Sequence, residues 1–277
     1  MTAAPHVLVT LPGKLGDLIY ALPAVIQIGR HFGGPVSLQT SELCRPALGL
    51  LTVQPYLHQC FVDPDYVLEH VRYGCQPWRM SEPPGYDAIL HLGFRRELLG
   101  ASIMTRPLRE TYFLVLEHEY GLSLPGPAQV PYLFLEEEPM EDIVVFQGYG
   151  ETLMDHLGPE ERQRLLAFWH RLFEGLGLDV RIVTGPRERS FYDGWGYPVV
   201  CPDDLLETAR LIARARCFLG VQSAAAAVAD GLQTPRLVYA RFRNALPFGP
   251  GGLSFALDAD PEEVLTALKT RFDAQDR

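Results

Sequence analysis

Three glycine-bearing turns carry the residue types best suited to chemistry. The first is Pro12-Gly13-Lys14-Leu15-Gly16-Asp17, which joins the apolar run HVLVTL to a stretch with helical apolar spacing. A strand that feeds a glycine turn at a helix start presents backbone N–H groups to an anion. Lys14 adds positive charge, Gly16 lets the chain turn, and Asp17 is either a general base or an N-cap. The spacing leaves both roles open. The turn lacks the GK[ST] ending of a phosphate-binding loop and is not GxGxxG.

The second turn is Gly220-Val221-Gln222-Ser223-Ala224-Ala225-Ala226-Ala227. Small residues at a helix start after a buried strand let a phosphate reach the helix N-terminus, or let helix and sheet pack closely. The third is Val183-Thr184-Gly185-Pro186-Arg187-Glu188-Arg189. There Glu188 suits ribose hydroxyls and the arginines suit phosphate, although a solvated charged loop reads the same way. A further glycine turn, Gln147-Gly148-Tyr149-Gly150, follows the run IVVF.

Other signals are weaker. Asp63-Pro64-Asp65 and Asp258-Ala259-Asp260 have the DxD form of some metal-dependent transferases, but Asp260 reads as a helix cap. The eight histidines show no pair at ligand spacing, so no metal is expected. The five cysteines are odd in number and lack CxxC spacing, which suits free thiols in a reducing compartment.

These turns need elements to hold them. Short apolar runs alternate with helical patterns: strands are expected at 6–11, 35–40, 59–62, 86–93, 143–146, 180–184, 199–200, 217–220 and 236–239. Helices are expected over 18–32, 106–120, 159–175, 203–215, 223–231 and 260–272. Apolar strands between helices predict parallel sheets covered on both faces. The Pro- and Glu-rich stretch 122–142 is the expected domain boundary, with PYLFLE inside it as a candidate edge strand. Both halves open on strand, glycine turn and helix, so two doubly wound domains are expected, their ligands lying beyond the carboxyl ends of the strands. Arg95 and Arg96 come after the strand YDAILHLG, where paired guanidiniums suit a phosphorylated or carboxylated acceptor, or simply a solvated helix start.

Composition narrows the class. The chain has 277 residues, 47% of them hydrophobic and 21% charged, enough for two packed cores. A formal net charge of -10 argues against nucleic acid as a partner. Lys14 and Lys269 are the only lysines. There is no secretory signal at the N-terminus and no run long enough to span a membrane, so a cytoplasmic location is expected, compatible with peripheral membrane contact.

Taken in order, the motifs resemble glycosyltransferase family nine, the ADP-heptose:lipopolysaccharide heptosyltransferases. The matching segments are HVLVTLPGKLGDLIYALPAVIQI, DDLLETARLIARARCFLGVQS, and GLQTPRLVYA with LPFGPGG after it. Together they touch both halves. The resemblance implies a GT-B-type α/β architecture: two Rossmann-like domains, 1–135 on the acceptor side and 140–259 binding the nucleotide-sugar, facing across a cleft. It also implies a final helix within 260–277 that packs back toward the first. It implies an inverting, metal-independent glycosyltransferase without cofactor, taking a nucleotide-diphosphate-sugar donor and a hydroxyl acceptor such as a glycan or lipopolysaccharide core. On that reading Asp17 is the catalytic base. Lys14, Gly16, Gln147, Gly148, Thr184, Gly185, Glu188, Gln222, Ser223 and Ala224 meet the donor, and Arg95 and Arg96 the acceptor. Gln222, Ala224 and Ala227 stand where the family has Asp, Gly and His, and no Lys occurs in 147–157. Those departures keep two rivals: an inactive nucleotide-sugar-binding module, and a phage-type glycosyltransferase acting on a nucleobase or other unusual acceptor.

Overall fold

The computed structural model describes residues 4–66, 79–93, 106–127, 131–136, 139–154, 156–241 and 251–275. The chain divides into two compact units, the first running through Leu135 and the second made mainly of the residues from Glu136 onward.

The first unit contains β1 (Val7–Leu11), α1 (Leu15–Phe32), β2 (Val36–Thr40), α2 (Leu48–Thr52), β3 (Leu57–Val62), β4 (Ala88–His91) and α3 (Leu108–Tyr120). Its sheet is parallel throughout, in the order β3-β2-β1-β4. Every residue of β1 and β2 is buried, as expected of inner strands covered on both faces. Helix α3 packs on α1, and the Tyr112 hydroxyl donates to the Asp17 carbonyl at 2.8 Å.

The second unit contains β5 (Glu141–Gln147), α4 (Glu151–Met154), α5 (Pro159–Leu176), β6 (Asp179–Val183), β7 (Val199–Val200) and α6 (Leu205–Arg214). It continues with β8 (Ala215–Val221), α7 (Ala224–Leu232), β9 (Arg236–Tyr239), β10 (Gly252–Phe255) and α8 (Pro261–Gln275). The sheet order is β10-β9-β8-β5-β6-β7, again parallel throughout. Counted from β5, this is the Rossmann order third-second-first-fourth-fifth-sixth, whose reversal falls between β5 and β8. The first sheet has the corresponding reversal between β1 and β4.

Helix α5 starts with Pro159 in its first turn and Glu161 Oε2 accepting from the Gly158 N–H at 2.9 Å. Its buried stripe of Leu165, Phe168, Trp169, Leu172, Phe173 and Leu176 repeats every three or four residues, the spacing of one helix face. Phe146 of β5 meets Trp169 and Phe173 edge to face, with ring centroids 5.1 and 4.9 Å apart. At the other end of the sheet, Arg236 Nε donates to Asp230 Oδ1 at 2.8 Å, both side chains fully buried, and ties β9 to α7.

Two expectations change. PYLFLE is not a strand: Gln54 binds both backbone groups of Phe134, its Oε1 accepting at 2.9 Å and its Nε2 donating at 3.2 Å. The Tyr56 hydroxyl also donates to the Tyr132 carbonyl at 2.7 Å. Side chains thus satisfy the groups that a ladder would use. The last helix, α8, packs within the second unit. Leu265 and Leu268 lie in that core beside α5, and Gly175 makes room, since a Cβ there would strike Leu265 Cδ2. Finally, β10 is a strand where the sequence pattern suggests none.

Candidate functional site

In doubly wound sheets ligands sit where the strand order reverses, outside the carboxyl ends. Each unit has one such place. In the first unit it lies just beyond β1. The Gly13 carbonyl is held by the Ser41 hydroxyl at 2.8 Å and the Cys44 thiol at 3.3 Å. Burial pushes that thiol up to about 11. Lys14 is the residue before α1, and its N–H donates to Asp17 Oδ2 at 3.1 Å. Asp17 therefore does cap the helix, at its third position. Asp17 is almost wholly buried, 7% exposed, and its Oδ2 serves the cap. Lys14, Gly16 and Asp17 thus come together at the start of α1. Arg95 and Arg96 lie outside the described residues.

Beside this turn runs a polar row that local sequence spacing did not reveal. Gln39, Thr10 and His91 lie level on neighbouring strands. Thr10 Oγ1 is 2.8 Å from His91 Nδ1, and His91 Nε2 is 3.0 Å from Glu82 Oε1. Burial lowers the His91 pKa below its ordinary value, against the pull of Glu82. Gln39 Nε2 donates to Ser81 Oγ at 2.8 Å, and Ser81 Oγ donates to Asp63 Oδ2 at 2.7 Å. Burial raises the Asp63 pKa, but hydrogen bonds from Ser81, Asp65 and Tyr66 outweigh it and hold the carboxyl below its usual range. Both Asp63 oxygens are engaged within the protein. Asp260 Oδ1 likewise accepts from the Glu262 N–H at 3.0 Å, as a cap. Among the described residues no group of three His, Cys, Asp or Glu is arranged to hold a metal.

In the second unit the reversal brings together Gln147 at the end of β5 and Gly148 after it, and Gln222, Ser223 and Ala224 after β8. Thr184, Gly185 and Glu188 come after β6, next to them. The two central turns touch backbone to backbone. A Cβ on Gly150 would lie 2.5 Å from the Gln222 carbonyl oxygen, and one on Gly220 would lie 2.5 Å from that of Gln147. Only glycine fits at either position. The Oε1 atoms of Gln147 and Gln222 are buried and, among the described residues, accept no hydrogen bond; buried carbonyl oxygens of this kind want a donor. Ser223 is the N-cap of α7, with an extended backbone (φ -158°, ψ 173°) and its hydroxyl accepting from the Ala226 N–H at 3.2 Å. Glu188 folds back over Gly185, where any Cβ would strike its carboxylate. Arg187 and Arg189 are exposed.

Tyr192 was not foreseen. Its buried hydroxyl accepts from the N–H groups of both Gly148 and Tyr149, each at 2.9 Å, with Thr184 beside it. A cavity of about 640 Å3 lies elsewhere. It opens in the first unit next to Pro35 and Pro55, which precede β2 and β3, with Ile26, Tyr56 and Phe134 among its walls. Those are the amino ends of the strands, away from the polar groups. None of the described helices is long and apolar enough to cross a membrane.

No family model and no curated protein sequence matches the chain. Solved structures do. A glycosyl transferase of family 9 from Veillonella parvula DSM 2008 matches at 14% identity over 98% of both chains, TM-score 0.65. The ADP-heptose lps heptosyltransferase II of E. coli matches at 13% identity over 98% of this chain and 100% of its own, TM-score 0.62. E. coli heptosyltransferase WaaC, solved with ADP, matches at 15% identity over 96% and 99%, TM-score 0.59. The fold is therefore the GT-B-type α/β fold of these glycosyltransferases, spanning nearly their full length.

Proposed function

We propose that this chain is an inverting, metal-independent glycosyltransferase that moves a sugar from a nucleoside-diphosphate-sugar to a hydroxyl acceptor. The observation that carries the reading is the reversal between β5 and β8. There a serine-capped helix start meets two buried glutamine oxygens without partners among the described residues, in a fold shared with structures solved with ADP and with ADP-2-deoxy-2-fluoro heptose. The diphosphate lies at the N-terminus of α7, where the N–H groups and the helix dipole favour negative charge. Glu188 takes the ribose hydroxyls. Gln147 and Gln222 accept from hydroxyls of the sugar. The acceptor oxygen bonds to the anomeric carbon as the bond to the diphosphate oxygen breaks, and Asp17 takes the acceptor proton. Lys14 or Arg187 offsets charge on the departing diphosphate. The acceptor is a glycan or lipopolysaccharide-core hydroxyl, bound by the first unit.

One observation favours a second reading, a module that binds nucleotide-sugar without transfer. Gln222, Ala224 and Ala227 replace the Asp, Gly and His of the family, so the site lacks charge that a transferase of this type would use. Calorimetry with ADP-, GDP-, UDP-, CDP- and dTDP-sugars, in EDTA and in Mg2+, tests the proposal. One donor should bind in both media, and product should form with a deacylated lipopolysaccharide core. Binding with no transfer to any glycan favours the module; a strict Mg2+ requirement ends the metal-free mechanism.

A further inference from the structure

We propose that Tyr192 is a positioning residue for the donor site: its hydroxyl fills the anion-binding concavity after β5, confining the diphosphate to α7. The inference rests on the nucleotide-sugar reading above and sharpens it.

Two consecutive N–H groups converging on one oxygen form the kind of concavity that binds phosphate. Here that oxygen belongs to the protein. Gly148 and Tyr149 each donate to Tyr192 Oη at 2.9 Å. The ring is buried, 2% exposed, and lies against Phe146 and Trp195. Burial raises the phenol pKa, so the hydroxyl is neutral. A neutral oxygen satisfies both donors without bringing charge near the site. The turn after β5, a phosphate site by its glycines alone, is therefore closed to phosphate.

The hydroxyl also acts at a distance. Holding Gly148 and Tyr149 fixes Gly150 against the Gln222 carbonyl. Gln222 precedes Ser223, the cap whose geometry sets the free end of α7. Tyr192 is thus linked, through one turn, to the helix start that receives the diphosphate. It sits four residues beyond Glu188, so the same short segment also carries the ribose carboxylate.

The test compares the full-length parent, Tyr192→Phe, and Leu265→Ala, a core variant of α8 that lowers stability away from the site. Calorimetry with ADP, GDP, UDP, CDP and dTDP identifies the tightest diphosphate, which is then compared with its own nucleoside. Tyr192→Phe should weaken the diphosphate about tenfold or more and the nucleoside less than twofold. Leu265→Ala should leave both unchanged even where its melting temperature falls as far. Hydrogen exchange should show residues 147–150 protected in the parent without ligand and exposed in Tyr192→Phe, with added diphosphate protecting 222–226 instead. Parent-like diphosphate affinity in Tyr192→Phe, or new ligand protection confined to 147–150, would overturn the assignment of Tyr192 alone. A parent that binds no nucleoside diphosphate at all would overturn the nucleotide-sugar reading and this inference with it.

Discussion

Asp17 caps α1 and, in the proposed mechanism, also takes the acceptor proton, two roles that a single atom change separates. Oδ2 receives the Lys14 N–H, which asparagine also accepts, so Asp17→Asn keeps a good cap. Stability should stay within about 1 kcal/mol of the parent, donor affinity should hold, and transfer should slow by about 10²–10⁴-fold because an amide takes no proton. Parent-rate transfer by Asp17→Asn in a single-turnover assay would remove it as the base. His91 offers a pH prediction. It faces Thr10 and Glu82, with Arg79 nearby, and its folded pKa is lowered. Its contribution to stability is therefore full above the unfolded value of about 6.5 and is lost as pH falls toward the folded value. Urea unfolding at pH 7.5 and 5.5 should show a smaller loss for His91→Gln than for the parent; equal losses would place the sensitivity elsewhere. Asp17, Glu188 and Ser223 stand out as candidates in the sequence because each lies in a turn that announces itself over a few residues. Tyr192 and the Glu82–His91–Thr10 row do not, because partners 44 and 81 residues apart in the chain leave no local pattern.

Elements explain why most of the architecture could be read and a few pieces could not. Strands β1, β5 and β8 bury both faces, so their apolar runs are nearly continuous, and the helices between them carry clear stripes. Segment 131–136 looks equally strand-like, but the side chains of Gln54 and Tyr56 bind its backbone first. Strand β10 is short and opens on glycine, which hid it. The start of α7 allows a clean probe of the anion site. Ala224 is the first helical residue, and Ser223 before it already has the extended backbone that proline at the next position requires. Ala224→Pro should therefore fold with near-parent stability while deleting one N–H from the helix start. If the diphosphate binds there, its affinity should fall by roughly tenfold or more, given about 1.5–3 kcal/mol for a hydrogen bond to a charged group. Unchanged affinity in a titration of the best nucleoside diphosphate would move the phosphates elsewhere.

At the scale of the whole molecule, the two sheets have separate cores. The cluster around Phe146, Trp169, Leu172 and Phe255 draws only on the second unit. Leu172, fully buried, should cost about 2–5 kcal/mol when cut to alanine. Scanning calorimetry should place that loss in one of two transitions, the one that a bound nucleoside diphosphate raises. A single transition shifted as a whole would mean that the units melt together. The placement of α8 has a bearing on how the protein is made. Phe168 and Trp169 leave the ribosome well before Leu265 and Leu268, which share their core. While a chain is being synthesised, its earlier part folds first. The first unit can close early, but the second must wait with aromatic surface uncovered until α8 arrives. Nascent chains stalled between β10 and α8 should be the ones that chaperones hold and proteases find.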